Sequence, residues 1–466
     1  MAATDNEYQA ATESHTAARN QKYRPALWFF ASTVVLSSMR ASAVDLWQAY
    51  EVAKSTDPVF VEAKAELAIA VAAQKAAAGG LLPSVVANGS TSRTGGPITF
   101  GGSDQFSRPY RSVEWSVRLV VPVVHLEDAA SYRQAKSERV AGERRFEVAQ
   151  QDLIVRLTTS YMDAIASLDR LEAADNEVAA SAAQQLLVRQ KALKGLVSAL
   201  DEQEAAVQYS LSMADQAEAR ANVEVKKAAL EEISGPLDSP VVRFRPGARP
   251  SAPEPGDVDS WKSAALRGNS SVQADIQLVA SAEDNVARVK ARRLPTVDAF
   301  SAYGRSFSSG NSTDLFSFTV NAYQWQVGLG FSWKIADAGA SRALIGEAES
   351  RLLQVQQVLE RDRRSAVAEA EGAYYQLVAS RSRIEALESG VIAAEVAAKG
   401  NVAGYRIGVR NNSEVMQSQA KAFAAKSELA IATRDAFLAA VRLKRAAGIL
   451  DADCVRSISD LISPEM

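Results

Sequence analysis

Ser112-Val113-Glu114-Trp115-Ser116-Val117-Arg118-Leu119-Val120-Val121 and Tyr323-Gln324-Trp325-Gln326-Val327-Gly328-Leu329-Gly330-Phe331-Ser332-Trp333 decide how this chain is read. In the first, Val113, Trp115, Val117, Leu119 and Val121 are apolar, while Ser112, Glu114, Ser116 and Arg118 are polar. In the second, Tyr323, Trp325, Val327, Leu329, Phe331 and Trp333 alternate with Gln324, Gln326, Gly328, Gly330 and Ser332. A period of two places the two sets on opposite faces of a strand. Each stretch has about the 9–11 residues that a tilted strand needs to cross a bilayer. Aromatics near the ends suit the membrane interfaces. A half-buried strand of a soluble sheet alternates in the same way, so the pattern alone leaves both readings open.

The surroundings of the two strands tip the balance. Both occur at the same place in a unit that the chain uses twice. Val44-Asp45-Leu46-Trp47 returns as Val258-Asp259-Ser260-Trp261, Leu82-Pro83 as Leu294-Pro295, and Trp115-Ser116-Val117 as Trp325-Gln326-Val327. Ser160-Tyr161-Met162-Asp163 returns as Ala373-Tyr374-Tyr375-Gln376, and Gly195 as Gly408. Each copy is expected to run helix, strand, strand, long helix, glycine turn, helix. The first helical segments span Leu46–Gly79 and Asp257–Arg292, and the long ones Leu126–Leu193 and Ala336–Ala398. Weaker partner strands fall near Leu82–Thr91 and Leu294–Phe307. Between the copies, residues 235–257 hold six of the 14 prolines. Proline fixes φ and removes a donor, so this stretch reads as an extended linker.

The long helices carry apolar stripes at spacings of three and four: Leu153, Leu157, Tyr161, Ile165, Leu168 and Leu171, and later Ile384, Leu387 and Val391. A helix from Leu126 to Leu193 would be about 100 Å long. Such rods pack side by side into a tube or a stalk. A coiled-coil stalk has no use for strands between its helices, whereas a tube ending in a barrel does. Four strands cannot close a barrel, and open edges do not survive in lipid. Three chains would supply 3 × 4 = 12 strands.

The N-terminus carries the order of an export signal. Lys22, Tyr23 and Arg24 precede the apolar run Ala26–Val35, and Ala41-Ser42-Ala43 reads as a cleavage site. Residues 1–43 are therefore expected to be a signal peptide. The apolar run is short of the ~20 residues of a spanning helix. The expected organisation is thus 1–43 signal, 44–234 first repeat, 235–257 linker, 258–450 second repeat and 451–466 C-terminal tail. The fold class is mainly α with membrane β.

Composition weighs against other functions. The charges nearly balance, 52 Lys+Arg against 55 Asp+Glu, so no basic face argues for nucleic acid. Two histidines and one cysteine, Cys454, leave no basis for a His triad, a multi-His metal centre or an internal disulfide. No enzyme motif appears, and no cofactor or metal is expected. A periplasmic coiled-coil adaptor would place one hairpin between β-domains, not strands between helices twice.

The order of elements, with the strings Ala403-Gly404-Tyr405-Arg406-Ile407-Gly408-Val409 and Lys194-Gly195-Leu196-Val197-Ser198, resembles the TolC family of outer-membrane channel-tunnels over about Val44–Leu450. The resemblance implies a homotrimer in the outer membrane, with a 12-stranded barrel in lipid and an α-helical periplasmic tunnel. It implies docking to a periplasmic adaptor and an inner-membrane ABC exporter or drug pump. The docking tips would be Gly195, Leu196, Val197, Gly408 and Val409. Asp201, Tyr405 and Arg410 would form the periplasmic gate lock, with Glu414 and Gln417 at the pore constriction. Gln417 stands where the family pattern has an acid. Val113, Trp115, Val117, Leu119, Tyr323, Trp325, Val327, Leu329, Phe331 and Trp333 would face lipid. Within the family the chain is similar to exporters of an adenylate cyclase-type toxin, though no motif carries that narrower likeness. A ring of acids attracts cations. Glu414→Gln should therefore weaken cation preference in bilayer conductance; unchanged selectivity would remove Glu414 from the pore.

Overall fold

The two copies break their first helical segment at the same place. A computed structural model shows α1 (Leu46–Thr56) ending and α2 (Pro58–Gly79) starting around Asp57. In the second copy α5 (Val258–Gly268) gives way to α6 (Ser270–Ala291) around Asn269. Each break is a polar N-cap: Asp57 accepts from the Phe60 amide, and Asn269 from those of Ser271 and Val272. Pro58 then occupies a helical position where no amide is needed. The single helices expected over Leu46–Gly79 and Asp257–Arg292 are therefore each two. The structure describes residues 45–462 except 96, 101–103, 108–109, 237–239, 246 and 312–316. The expected signal segment and its cleavage site lie outside the described residues.

The expected strands are present, with shifted ends. They are β1 (Ser84–Thr94), β4 (Tyr110–Val124), β5 (Thr296–Asn311) and β6 (Ser317–Ser332), in an antiparallel sheet of order β1-β4-β5-β6. The first loop adds a short ribbon, β2 (Pro97–Phe100) with β3 (Asp104–Ser107). Trp333, expected within a strand, lies one residue beyond β6, where its indole donates to the Arg293 carbonyl at 3.0 Å. The sheet joins strands of both copies through the β4–β5 pairing. Among the described residues its outer strands, β1 and β6, have no further partner.

Two helical hairpins descend from the sheet. The helix α3 (Leu126–Leu193) has the expected 68 residues and returns through α4 (Ala199–Ser234). The helix α7 (Ala340–Arg406) has 67 residues and returns through α8 (Asn412–Ala446). Among the described residues no helix is long and apolar enough to cross a membrane. The predicted stripe is buried from Leu153 through Leu157 and Tyr161 to Ile165. It packs with Leu46, Tyr50, Leu230 and Phe437 in the largest apolar cluster.

Two segments read as connectors belong to this cluster. Residues 240–245 and 248–253 form no helix, as the prolines predict, yet Val242 and Pro250 are buried and the segment lies down as a strap. Phe244 stacks on Phe437 with ring centroids 4.6 Å apart. The Tyr161 hydroxyl bonds both the amide and the carbonyl of Val242 at 3.3 Å, and burial pushes its phenol up. Within the stretch expected as a C-terminal tail, residues 452–462 form α9 (Ala452–Ile462), which buries Val455 and Ile462 in the same cluster. Val455, Ser459 and Ile462 are its buried positions, at a spacing of three to four.

One polar contact in the helical body carries a charge problem. Asp275 of α6 is buried, and its Oδ2 has no hydrogen-bond donor. The Asp362 carboxyl of α7 faces it and is held low chiefly by its bond to Arg361. Burial, and then Asp362, raise the Asp275 carboxyl to about 6. Below about 6 the Asp275 carboxyl keeps a proton that the unfolded chain would release nearer 3.8. A raised acid stabilises the fold fully below the unfolded value, and that contribution is lost as pH rises through about 6. Asp275→Asn should flatten this part of the pH dependence and make the protein more stable at neutral pH. Thermal melts between about pH 4 and pH 7 check this; parallel curves for both proteins would refute it.

Candidate functional site

The free ends of the two helical hairpins are built alike. Past α3, Gly195 has φ +70°, and past α7, Gly408 has φ +82°. Only glycine adopts this region without strain. In each turn the glycine amide donates three residues back, Gly195 to Ala192 at 2.9 Å and Gly408 to Tyr405 at 3.3 Å. The next amide reaches one turn further, Leu196 to Lys191 at 3.0 Å and Val409 to Gly404 at 2.9 Å. These bonds satisfy the last carbonyls of the long helices. The returning helices then start with matching capping boxes. Ser198 and Asp201 exchange bonds at the start of α4, and Asn411 and Glu414 at the start of α8. Asp201 and Glu414, expected in two different devices, thus occupy the same position in the two copies.

The predicted tip residues separate into two groups. Leu196 and Val409 are exposed, 68% and 73%, as are Leu193 and Ile407, which the sequence reading missed. Val197 instead turns inward, against Val188, Ala205, Tyr405 and Val415. Each tip therefore presents a small apolar knob beside a rigid glycine turn.

The three residues expected as a gate lock lie close in the fold but do not form one hydrogen-bonded group within the chain. Asp201 accepts from the Ser198 amide at 3.0 Å and hydroxyl at 2.8 Å. Arg410 donates to Glu414 at 3.2 Å. Its stem crosses Gly404 so closely that a Cβ there would meet Arg410 Cγ at 2.7 Å. Tyr405 is buried, and its hydroxyl lacks a partner among the described residues. Burial, and then the charge of Asp201, raise its phenol. Lys191 holds Tyr405 in place: its ammonium sits 3.8 Å from the ring centroid and donates to the Tyr405 carbonyl at 2.9 Å. A buried bond of 2.7 Å from Gln184 to Asn412 adds a second tie between the copies. Gln184, Val188 and Lys191 lie at helical spacing on one face of α3, which is the signal that could have found them. Gln417 is exposed, three residues after Glu414 on α8.

In the sheet, directly paired residues of antiparallel strands share a face. Val113, Trp115, Val117 and Leu119 pair with Phe307, Arg305, Tyr303 and Ser301. Arg305, Tyr303, Ser301 and Ala299 pair onward with Tyr323, Trp325, Val327 and Leu329. All predicted lipid-facing residues within the strands therefore lie on one face. Trp325, Val327, Leu329 and Phe331 are each at least two-thirds exposed, and Val113 is half-buried. Tyr303 joins this face edge-on to Trp115, with ring centroids 5.8 Å apart. The opposite face bears Glu114, Arg118, Asp298, Gln324 and Gln326. Phe300 lies there too, covering the bare backbone of Gly328. Where the sheet meets α3, His125 bridges Asp128 at 2.8 Å and Asp298 at 2.9 Å. Among the described residues no group of three or more His, Cys, Asp or Glu is placed to hold a metal.

This arrangement of an apolar-faced sheet on long paired helices has known counterparts. The alkaline protease secretion protein AprF of Pseudomonas aeruginosa is 25% identical over 448 residues, covering 94% of this chain and 92% of that protein. The outer membrane protein TolC of Escherichia coli is 26% identical over 335 residues, covering 70% of this chain and 68% of that protein. The crystal structure of the Campylobacter jejuni CmeC outer membrane channel superposes with a TM-score of 0.77 at 14% identity, covering 97% of this chain and 98% of the other. The sequence profile of the outer membrane efflux proteins matches twice, at residues 49–236 and 261–449. With most of its length accounted for by these two matches, the chain belongs to the outer membrane efflux protein family.

Proposed function

We propose that three copies of this chain form the outer-membrane exit duct of a type I secretion machine, with a protein toxin as cargo. The chain is an outer-membrane export channel by family; the cargo class and the machine are the finer reading. The observation that carries it is the end-to-end likeness to a protein named for protease secretion. The four-stranded sheet with its two open edges supports the trimer, since three sheets would close 12 strands around one pore. The tandem repeats, 44–234 and 258–450, would then give the tunnel pseudo-sixfold order, with 235–257 strapped around its middle. A cyclolysin-type adenylate cyclase toxin is the cargo that the sequence resemblance suggests. The second reading is the outer duct of a multidrug efflux pump, which the family description favours.

In this reading the exposed apolar knobs at Leu196 and Val409 dock the adaptor. The gate lies between the tips, where Lys191 clamps Tyr405 and Arg410 covers Glu414. A guanidinium on Glu414 weakens any cation-attracting field there. Asp201 and Arg410 would complete the lock between neighbouring protomers, where each still has hydrogen-bonding capacity.

Crosslinking the protein in its own cells and identifying what copurifies tests the machine. Recovery of an ABC exporter with an adaptor is expected; a proton-driven drug pump would replace the proposal by the second reading. A monomeric, non-conducting periplasmic protein would overturn the duct itself. For the gate, Arg410→Ala should raise single-channel conductance severalfold and sharpen cation preference, because Glu414 loses its counter-charge. Planar-bilayer recordings that match the unaltered protein in both respects would remove Arg410 from the gate.

A further inference from the structure

The lipid-facing side of the sheet ends in charge of one sign. Arg93 pairs directly with Arg111 across β1 and β4. Arg305 pairs with Trp115 across β4 and β5. By register all three share the face of Trp115, Tyr303 and Trp325. No acid occupies that face in the described strands. Glu114 and Asp298 both lie on the opposite face, where Asp298 is engaged by His125. Among the described residues none of the three arginines has a carboxylate partner. Arg305 instead donates to Asn321 at 2.8 Å, with its guanidinium 5.3 Å from the Tyr323 ring centroid.

Two features point to an anion. Like charges directly opposite on adjacent strands are unfavourable unless something neutralises them, and Arg93 and Arg111 are both exposed. Their height also matters. From Phe331 to Tyr323 the strand covers about 27 Å, or roughly 20 Å of height at the usual tilt. This is the apolar band, and Arg305 stands at its upper edge among aromatics. Arg111 lies four residues beyond Trp115, about 10 Å higher, in the zone of headgroups. The helices leave from the other end of the strands, so this rim faces the outer leaflet.

We propose that Arg93, Arg111 and Arg305 form a collar that binds the phosphate groups of anionic lipids in the outer leaflet. The inference rests on the membrane-duct reading above. Planar guanidinium groups match phosphate with paired hydrogen bonds. Three protomers would carry nine such groups around the barrel. The collar would fix the depth of the barrel and tie it to charged lipid, while the aromatics below it hold the apolar boundary.

Native mass spectrometry of the purified trimer in neutral detergent tests this, with diphosphorylated lipid A, phosphatidylcholine and inorganic phosphate as probes. Lipid A should bind in a salt-dependent manner and phosphatidylcholine should not. Each Arg→Gln change should weaken lipid A binding roughly fivefold, and the triple variant on the order of a hundredfold. Arg118→Gln, on the opposite face of β4, should bind as the unaltered protein does. If the triple variant does not trimerise, Arg111→Gln alone and the triple Arg→Lys variant decide: the first should weaken binding and the second largely retain it. Undiminished lipid A binding in the glutamine variants, equal binding of phosphatidylcholine, or displacement by an equal concentration of inorganic phosphate would overturn the collar. A trimer that conducts but ignores lipid A overturns the collar alone; a protein that never inserts overturns the duct.

Discussion

A backbone amide or carbonyl left unpaired in hydrocarbon costs several kcal/mol, and the rest of this molecule follows from avoiding that cost. One chain makes a sheet of four strands and leaves the edges of β1 and β6 open. In the proposed duct, further copies supply strands of the same length and apolar face to those edges. If the sheet closes around an axis as proposed, the helices leaving it run side by side around the same axis. Their length, 68 and 67 residues, then becomes a tunnel wall rather than an oddity of a globular protein. The mid-body cluster around Tyr161 fixes where the hairpins cross the strap and α9, while a separate small cluster around Val188, Tyr405 and Val415 holds the tips together.

The two copies use equivalent positions for different ends. Asp201 and Glu414 are both the third helical residue after an N-cap, and both close a capping box. That local role explains why an acid stands in each place: it satisfies an otherwise orphaned amide. What differs is the neighbour. Arg410 reaches Glu414 because Gly404 leaves room for its stem. In the first copy the corresponding residues are Lys191 and Val197, and Lys191 turns to Tyr405 of the second copy instead. The two copies carry capping boxes of the same design, Ser198 with Asp201 and Asn411 with Glu414; neighbouring side chains make them electrostatically unequal. In the proposed duct, a mouth lined by two kinds of hairpin would be able to loosen one kind while the other stays shut.

Charge is sorted with equal economy in the sheet. In the described strands of this sheet, the acids lie on the face opposite Trp115, and Arg93, Arg111 and Arg305 on the face of Trp115, toward the end remote from the helices. Neither fact is visible in net charge, which is close to zero. Register produces it, because a slip of one residue would move every charge to the other face.

By itself the sequence determined the main strands, the long helices and their order, but not the breaks at Asp57 and Asn269, the β2–β3 ribbon or α9. The two-residue period of Val113–Val121 and Tyr323–Phe331, the stripe from Leu153 to Ile165, and the glycines at 195 and 408 are local signals. Each rests on backbone geometry within a few residues of itself. The docking of the proline-rich strap and α9, the strand ends, and the partners of Asp201, Tyr405 and Arg410 were decided only by the tertiary structure. Phe244 finds Phe437, Lys191 finds Tyr405 and Gln184 finds Asn412 across separations of roughly 200 residues in sequence. No local pattern encodes which of several lysines or phenylalanines will be nearest once two long hairpins are packed in register. That choice belongs to the packing, where helix crossing and turn geometry set distances that sequence spacing does not contain.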